Sequence, residues 1–270
     1  MDEIIIKGLK LYGYHGVYNN EKKRGQFFEI NVTLYLDTSN AGMGDNLDDT
    51  VNYAEACDFL AAEFEKNYVN LIETVANRLA KALLLKYPIV DSVDVEVCKP
   101  EAPIEESFDN VSVKVHRGRH TAIISVGSNM GDSKDTIEKA KETLLSSDDI
   151  FMKKEAKLIS TKPYGLTNQP DFVNGMWVLE TFLSPENLLK RLNEVEAQYG
   201  RERLVHWGPR TIDMDIIYYD DEIINKEKLT IPHKDMANRE FVLKPLMEVA
   251  PYKLHPITHL SAEEMLKRLN

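Results

Sequence analysis

Cysteine is nearly absent from this chain, with two in 270 residues, Cys57 and Cys98. Two thiols with no metal-ligand spacing between them exclude a disulfide framework and a thiolate metal centre, and they suit a reducing compartment. Cationic excess is also missing: the formal charge is −11. So acidic a chain offers no broad basic face to nucleic acid or to an anionic membrane. Any anionic substrate must then be met by a local cluster of cations. No apolar run approaches the roughly 20 residues of a membrane helix. The opening Met1-Asp2-Glu3 is acidic and its apolar run stops at Ile6, unlike a secretory leader. No repeat and no low-complexity tract interrupts the chain. The expectation is a cytoplasmic protein with neither nucleic acid nor membrane as partner.

What is present is apolar content of 43%, enough for two cores of ordinary domain size. Charge divides unevenly, with 20 acids against 12 bases up to Gly118 and 24 against 21 beyond it. The short polar segment His116-Arg117-Gly118-Arg119-His120 reads as a linker, giving expected domains of 1–118 and 119–270. In the first, Phe28, Ile30, Val32, Leu34 and Leu36 alternate with polar residues as in a half-buried strand. Val93/Val95/Val97 and Val111/Val113/Val115 repeat the pattern. Between them, Cys57/Leu60/Ala61/Phe64 and Ile72/Val75/Ala76/Leu79/Leu83 follow helical spacing. The order is strand–strand–helix–helix–strand–strand, an α+β arrangement. In the second half the pattern predicts strands over Thr121–Val126, near Leu158, over Phe172–Thr181 and over Thr211–Tyr218. It predicts one helix through Ile137/Ala140/Leu144 and another opening at Ser184-Pro185-Glu186 and closing at Gly200.

The chemical signal is concentrated in Arg210-Thr211-Ile212-Asp213-Met214-Asp215-Ile216. On a strand, Ile212, Met214 and Ile216 face one way and the two aspartates face the other, their backbones about 6–7 Å apart. Aspartate is depleted in strands, and two on one face repel unless a cation lies between them. A solvated strand face would carry such a pair too, but Arg201, Arg203 and Arg210 flank it, with Trp207-Gly208-Pro209 between. Forked, permanently charged arginines suit polyphosphate. Magnesium held by one or two carboxylates plus substrate phosphates is the usual arrangement for phosphoryl-type transfer.

These residues, together with Gly127-Ser128-Asn129, Gln169-Pro170-Asp171-Phe172-x-Asn174, Ile231-Pro232-His233 and Asn238-Arg239-x-Phe241, resemble the 6-hydroxymethyl-7,8-dihydropterin pyrophosphokinase family from about Thr121 onward. The resemblance implies a ferredoxin-like α+β domain that moves a diphosphate from ATP to a pterin. By position, Asp213 and Asp215 would hold two Mg²⁺ with ATP. Phe172 and Phe241 would sandwich the pterin, Asn174 would bond its edge, and Thr161, Tyr164 and Trp207 would line its pocket. Arg201 and Arg210 would act on the phosphates. Asn193, Glu196, Arg203, Ile216, His233 and Arg239 would contact the nucleotide. Two departures from the family pattern are Lys234 where tyrosine is expected and a loop from Arg203 to Trp207 that is one residue short. A metal-dependent nucleotide-sugar transferase is the alternative that the acid-x-acid triplet leaves open.

The first half carries quieter features: a glycine-punctuated turn, Gly13-Tyr14-His15-Gly16, an acid in a helix's first turn, Glu73, and Lys99-Pro100 after a valine strand. Together with Glu21, Gly25-Gln26, Asp49-Thr50-Val51-x-Tyr53, Asn70-Leu71 and Ala102-Pro103-Ile104, they resemble the dihydroneopterin aldolase family. That resemblance implies a tunnelling fold, a four-stranded antiparallel sheet with two helices, assembled into a tetrameric ring or a stack of rings with pockets between subunits. Glu73 would anchor the pterin, Val51 and Leu71 would line its site, Lys99 and Tyr53 would move protons, and Glu21 would position the reacting groups without any cofactor. A catalytically silent ring-former and an epimerase are the alternatives for this half.

Overall fold

The computed structural model describes residues 1–163, 168–200 and 210–269, and the chain divides into two compact units, Met1–Arg119 and His120–Asn270. The first contains strand β1 (Asp2–Gly13), helix α1 (Asn19–Arg24), β2 (Gln26–Leu36), α2 (Ser39–Gly44), α3 (Tyr53–Glu65), α4 (Ile72–Lys86), β3 (Val90–Cys98) and β4 (Ser112–Gly118). The strands form one antiparallel sheet in the order β1-β2-β3-β4. The expected alternation on β2 is realised: Phe28, Ile30, Val32, Leu34 and Leu36 are all buried. With Val93, Val95 and Val97 they make the face on which α3 and α4 pack, through Leu60 and Phe64 and through Val75, Leu79 and Leu83. The opposite face is polar and tied across strands. Asn31 Nδ2 donates to Glu96 at 3.0 Å and the Tyr35 hydroxyl donates to Asp94 at 3.2 Å. Helix α3 starts where the Asn52 side chain accepts from the Ala54 N–H at 3.1 Å, an N-cap.

The second unit contains β5 (His120–Ser128), α5 (Ser133–Leu145), β6 (Ile150–Glu155), β7 (Ile159–Thr161), β8 (Phe172–Thr181), α6 (Pro185–Gln198), β9 (Asp213–Tyr219), β10 (Ile224–Lys226), β11 (Leu229–Ile231), α7 (Glu240–Val249) and α8 (Ala262–Leu269). Its antiparallel sheet runs β6-β8-β5-β9, with β7 also paired to β8. The chain order β5-α5-β6-β8-α6-β9 in that spatial order is the ferredoxin-like arrangement. Helix α6 opens as its sequence predicts, with Ser184 accepting from the Asn187 N–H. The core strand β6, and outside that core the β10–β11 hairpin and helices α7 and α8, are elements that hydrophobic periodicity did not announce. Each is short, and β6 buries only Ile150.

Both faces of this sheet are covered, but not equally. On one, Ala122, Ile124, Val126, Met214 and Ile216 pack with α5 and α6 along the whole of β5 and β9. On the other, Ile123, Met176, Val178, Ile217 and Tyr218 pack with α7 and α8. A register shift between Ile123 and Ile124 opposite β9 puts both Ile217 and Tyr218 on that second face. Further along the same strands the side chains on the second face become small or polar, at Ser125, Gly127, Asn174, Asp215 and Asp213. Apolar cover gives way there to a cavity.

Candidate active sites

The cavity of the second unit is lined by Ser125 and Gly127 of β5, Thr161 of β7, Phe172 and Asn174 of β8, and Asp213, Asp215 and Ile217 of β9. Lys162, Arg210, Arg239, Phe241 and Val242 complete it. Strand pairing puts Asp213 opposite Gly127 and Asp215 opposite Ser125. The two carboxylates therefore project from one strand face over the smallest side chains of the neighbouring strand. That room is needed. A β-carbon on Gly127 would stand 2.8 Å from Asn174 Oδ1, closer than carbon and oxygen approach. Asn174 is buried and donates from Nδ2 to Thr161 Oγ1 at 2.7 Å, which leaves its carbonyl oxygen directed over Gly127.

Charge in the cavity is arranged at its rim. Arg210 forms an ion pair with Asp213. Arg239 donates from Nε to Asp235 at 2.8 Å, and its guanidinium carbon lies 5.9 Å from the centre of the Phe241 ring. His233 Nδ1 accepts from the Asp235 N–H at 3.3 Å. The proton of the neutral ring therefore sits on Nε2, which lies 3.9 Å from Asp215 Oδ2. Burial holds this imidazole below its ordinary value, although the Asp215 and Asp235 carboxylates pull the other way.

Of the residues singled out in the sequence, Thr161, Phe172, Asn174, Arg210, Asp213, Asp215, Arg239 and Phe241 meet at this cavity, with His233 against Asp215. Three others lie apart from it. Asn193 is exposed on α6. Ile216 turns its side chain into the core on the opposite sheet face. Glu196 is 2% exposed and comes to edge strand β9 from that helix-covered side, where its carboxylate accepts the Met214 N–H at 2.6 Å. It holds the backbone between the two aspartates. Tyr164, Arg201, Arg203 and Trp207 lie outside the described residues, as does the loop from Arg203 to Trp207. Lys234 is exposed. Residues that sequence reasoning gave no role include Ser125, Lys162 and Asn129. The alternation Ile123, Ser125, Gly127 on β5 was the available signal, since a strand face that turns small beside an acid pair marks a space.

In the first unit the centre is a buried ion pair. Lys99, directly after β3, joins Glu21 of α1. Glu21 is 6% exposed, its other oxygen accepts the Tyr18 N–H at 2.9 Å, and Gln26 approaches it. Burial works to raise this carboxyl, but the Lys99 ammonium and the Tyr18 and Val17 N–H groups outweigh it and hold it below its ordinary value. The packing needs Gly16, where a β-carbon would fall 2.4 Å from the Glu21 carboxyl carbon. His15 is wholly buried, donating from Nε2 to the Phe64 carbonyl at 3.2 Å and accepting the Val69 N–H on Nδ1 at 3.1 Å. Burial, then the Arg78 charge, pushes it down to about 4. It stays neutral and pins the Gly13–Gly16 turn to the segment before α4. The other expected residues are not drawn into that pair. Tyr53 (67% exposed), Leu71 (52%) and Glu73 stand at the N-terminal ends of α3 and α4, open to solvent, while Val51 is buried.

A ferredoxin-like unit with paired strand carboxylates facing aromatic rings, preceded by an antiparallel α+β unit with a buried Lys–Glu pair, defines a two-domain enzyme class. The 7,8-dihydro-6-hydroxymethylpterin-pyrophosphokinase family profile matches residues 123–251, and the dihydroneopterin aldolase profile matches residues 4–116. The chain is 32% identical over 292 aligned residues to the folic acid synthesis protein of Dictyostelium discoideum, covering 98% of this chain and 44% of that protein. It is 41% identical over 143 residues to the 2-amino-4-hydroxy-6-hydroxymethyldihydropteridine pyrophosphokinase of Haemophilus influenzae, covering 53% of this chain and 89% of that one. The Escherichia coli dihydroneopterin aldolase, solved in complex with neopterin, aligns at 27% identity and a TM-score of 0.41 over 44% of this chain and all of that one. The chain belongs to the pyrophosphokinase family through its second half and carries a dihydroneopterin aldolase domain in its first. It spans less than half the length of the Dictyostelium protein.

Proposed function

We propose that residues 119–270 transfer a diphosphate from ATP to the hydroxymethyl group of 6-hydroxymethyl-7,8-dihydropterin, releasing AMP. The observation that carries this reading is the convergence of Asp213, Asp215, Arg210, Phe172, Phe241 and Asn174 on one cavity. A flat heteroaromatic ring fits between two phenyl rings with an amide at its edge, and a polyphosphate fits beside carboxylates and a guanidinium. The donor set suits Mg²⁺. Asp213 and Asp215 offer hard oxygens, and no closed cage of three or more protein ligands is found among the described residues. Positions are thus left for phosphate oxygens and water, as this cation prefers. Bound there, two Mg²⁺ ions would neutralise phosphate charge. Asn174 and the two phenylalanines would orient the pterin hydroxymethyl oxygen toward the β-phosphorus, and Arg210, released from Asp213, would meet the developing charge. Arg201 would join it, and His233 and Arg239 would face the nucleotide.

For residues 1–118 we propose retro-aldol cleavage of 7,8-dihydroneopterin to glycolaldehyde and the same hydroxymethyl pterin. The buried Glu21–Lys99 pair supports it, because a lysine locked onto a carboxylate is a positioned proton-transfer group. Glu73 would bind the pterin edge bidentately and Tyr53 would pass a proton. The exposure of Tyr53, Leu71 and Glu73 supports a homo-oligomer in which a neighbouring copy covers them, a tetrameric ring or a stack of rings. No described helix is long and apolar enough to cross a membrane, and the setting proposed is the cytoplasm. Incubation with 7,8-dihydroneopterin, ATP and Mg²⁺, with products weighed by mass spectrometry, tests both halves. Diphosphorylated pterin, AMP and glycolaldehyde are expected. Unchanged dihydroneopterin would refute the first assignment. Failure to consume added hydroxymethyl pterin would refute the second.

A further inference from the structure

Asn129 follows β5 directly, is 3% exposed, and uses its whole side chain. Its Oδ1 accepts the Arg210 N–H at 2.8 Å, while its own backbone N–H donates to the Arg210 carbonyl at 3.1 Å. Its Nδ2 donates to Gln169 Oε1 at 3.1 Å and to the Pro170 carbonyl at 3.3 Å. The orientation of the amide is fixed by partners that cannot be exchanged. A backbone N–H must meet the oxygen, and the Pro170 carbonyl must meet the nitrogen. One buried amide therefore ties together three stretches of chain: the end of β5, the residue that leads into the acid strand β9, and the residues two and three places before Phe172.

We propose that Asn129 is a positioning residue that sets the separation between the phosphate side of the cavity, at Arg210 and Asp213, and the ring side, at Phe172 and Asn174. The inference rests on the diphosphotransferase reading. The two arms are chemically distinct, which makes them separable. In Asn129→Asp the carboxylate still accepts the Arg210 N–H, but its second oxygen faces the Pro170 carbonyl as acceptor against acceptor, and Gln169 meets it only by turning its amide. The ring side is released and the phosphate side retained. Asn129→Ala releases both. Gln169→Ala removes one ring-side partner without touching the strand end.

A misplacement of about 1 Å at a bound substrate costs up to 100-fold. Asn129→Asp is therefore expected to raise the KM for hydroxymethyl pterin between roughly 10- and 100-fold while leaving the KM for ATP within about twofold. Asn129→Ala should raise both, and Gln169→Ala should raise the pterin KM by a smaller factor in the same direction. A residue that merely stabilised the fold would instead lower kcat in proportion to the folded fraction and move neither KM. Hydrogen exchange supplies a readout apart from turnover. The Arg210 amide should lose protection in Asn129→Ala and keep it in Asn129→Asp. Equal changes in both KM values for Asn129→Asp, or retained Arg210 protection in Asn129→Ala, would overturn the proposal. A wild-type protein that makes no AMP from ATP and the pterin would overturn the diphosphotransferase reading itself, and the inference with it. An active wild type with unaltered Asn129 variants would overturn the inference alone.

Discussion

On the proposed function the two units meet the same problem, holding a pterin, with opposite distributions of their residues. In the second unit, side chains from β5, β7, β8, β9 and the start of α7 converge on one cavity within a single chain. In the first, one ion pair and Val51 are buried, while Tyr53, Leu71 and Glu73 lie on the surface. The difference follows from the sheets. The second sheet is covered by α7 and α8 over only part of one face, so the polar remainder forms a floor with walls already around it. The first sheet gives its apolar face entirely to α3 and α4. Of its proposed site residues, Tyr53, Leu71 and Glu73 are left exposed at the N-terminal ends of α3 and α4, and Lys99 stands at the strand terminus after Cys98. On the proposed reading, the described residues of the second unit's site come from a single chain, and the first unit's site asks for another subunit.

The sharpest way to break this comparison is to disable one unit and read the other. Asp215→Ala leaves one carboxylate against a polyphosphate and should lower diphosphoryl transfer by roughly 10³-fold or more, since charge stabilisation is the dominant contribution to such reactions. Aldol cleavage, assayed separately as glycolaldehyde release, should stay within about twofold of wild type. Loss of both activities with native oligomer size would show that the units do not work independently. The converse change, Lys99→Ala, should slow aldol cleavage by about 10²–10⁴-fold. It also strands the buried Glu21 carboxylate, so a rise of that group toward ordinary carboxylate titration, followed by carbon-13 NMR, should accompany it. Diphosphorylation of added hydroxymethyl pterin should be unaffected.

A smaller effect tests how tightly the second cavity is built. Gly127→Ala places a methyl group 2.8 Å from Asn174 Oδ1, so the amide must turn and give up its bond to Thr161. The pterin KM should rise on the order of tenfold, the equivalent of one hydrogen bond at about 1.4 kcal/mol, with the ATP KM unchanged. Steady-state kinetics with each substrate varied in turn decides it, and an unchanged pterin KM would mean that Asn174 does not touch the ring.

The smallest effect belongs to the first unit and to pH. His15 is held at about 4 against an ordinary value of 6.5, so below pH 6.5 the unfolded chain takes up a proton that the native ring refuses. Its contribution to stability is fully present above pH 6.5 and is lost as pH falls toward about 4. Glu21, depressed by its lysine, adds a further loss on the acid side of the ordinary glutamate range. Urea midpoints of the first unit's transition should therefore decline through this window, and His15→Asn should flatten the decline above pH 5. An identical slope in the variant would assign the acid sensitivity elsewhere.

Much of this molecule was legible in the order of its residues. Alternation marked β2 and β3, and helical spacing marked α3, α4 and α5, because each buries a single face and the apolar period records it, whereas β8 is buried on both faces and carries a continuous apolar run instead. The acid pair was legible for the same reason, since on any strand Asp213 and Asp215 must share the face opposite Met214. No period or spacing says which aromatic rings and amides stand across from those carboxylates; the family resemblance implied Phe172, Asn174 and Phe241, and the fold brings them together from sequence-distant elements. Tertiary structure alone turned Glu196 from the cavity toward the Met214 N–H, and gave Asn129 its three partners. Hydrogen bonds between strand ends and loops have no period. A sequence records how each element faces its core, and only the folded chain records which elements meet.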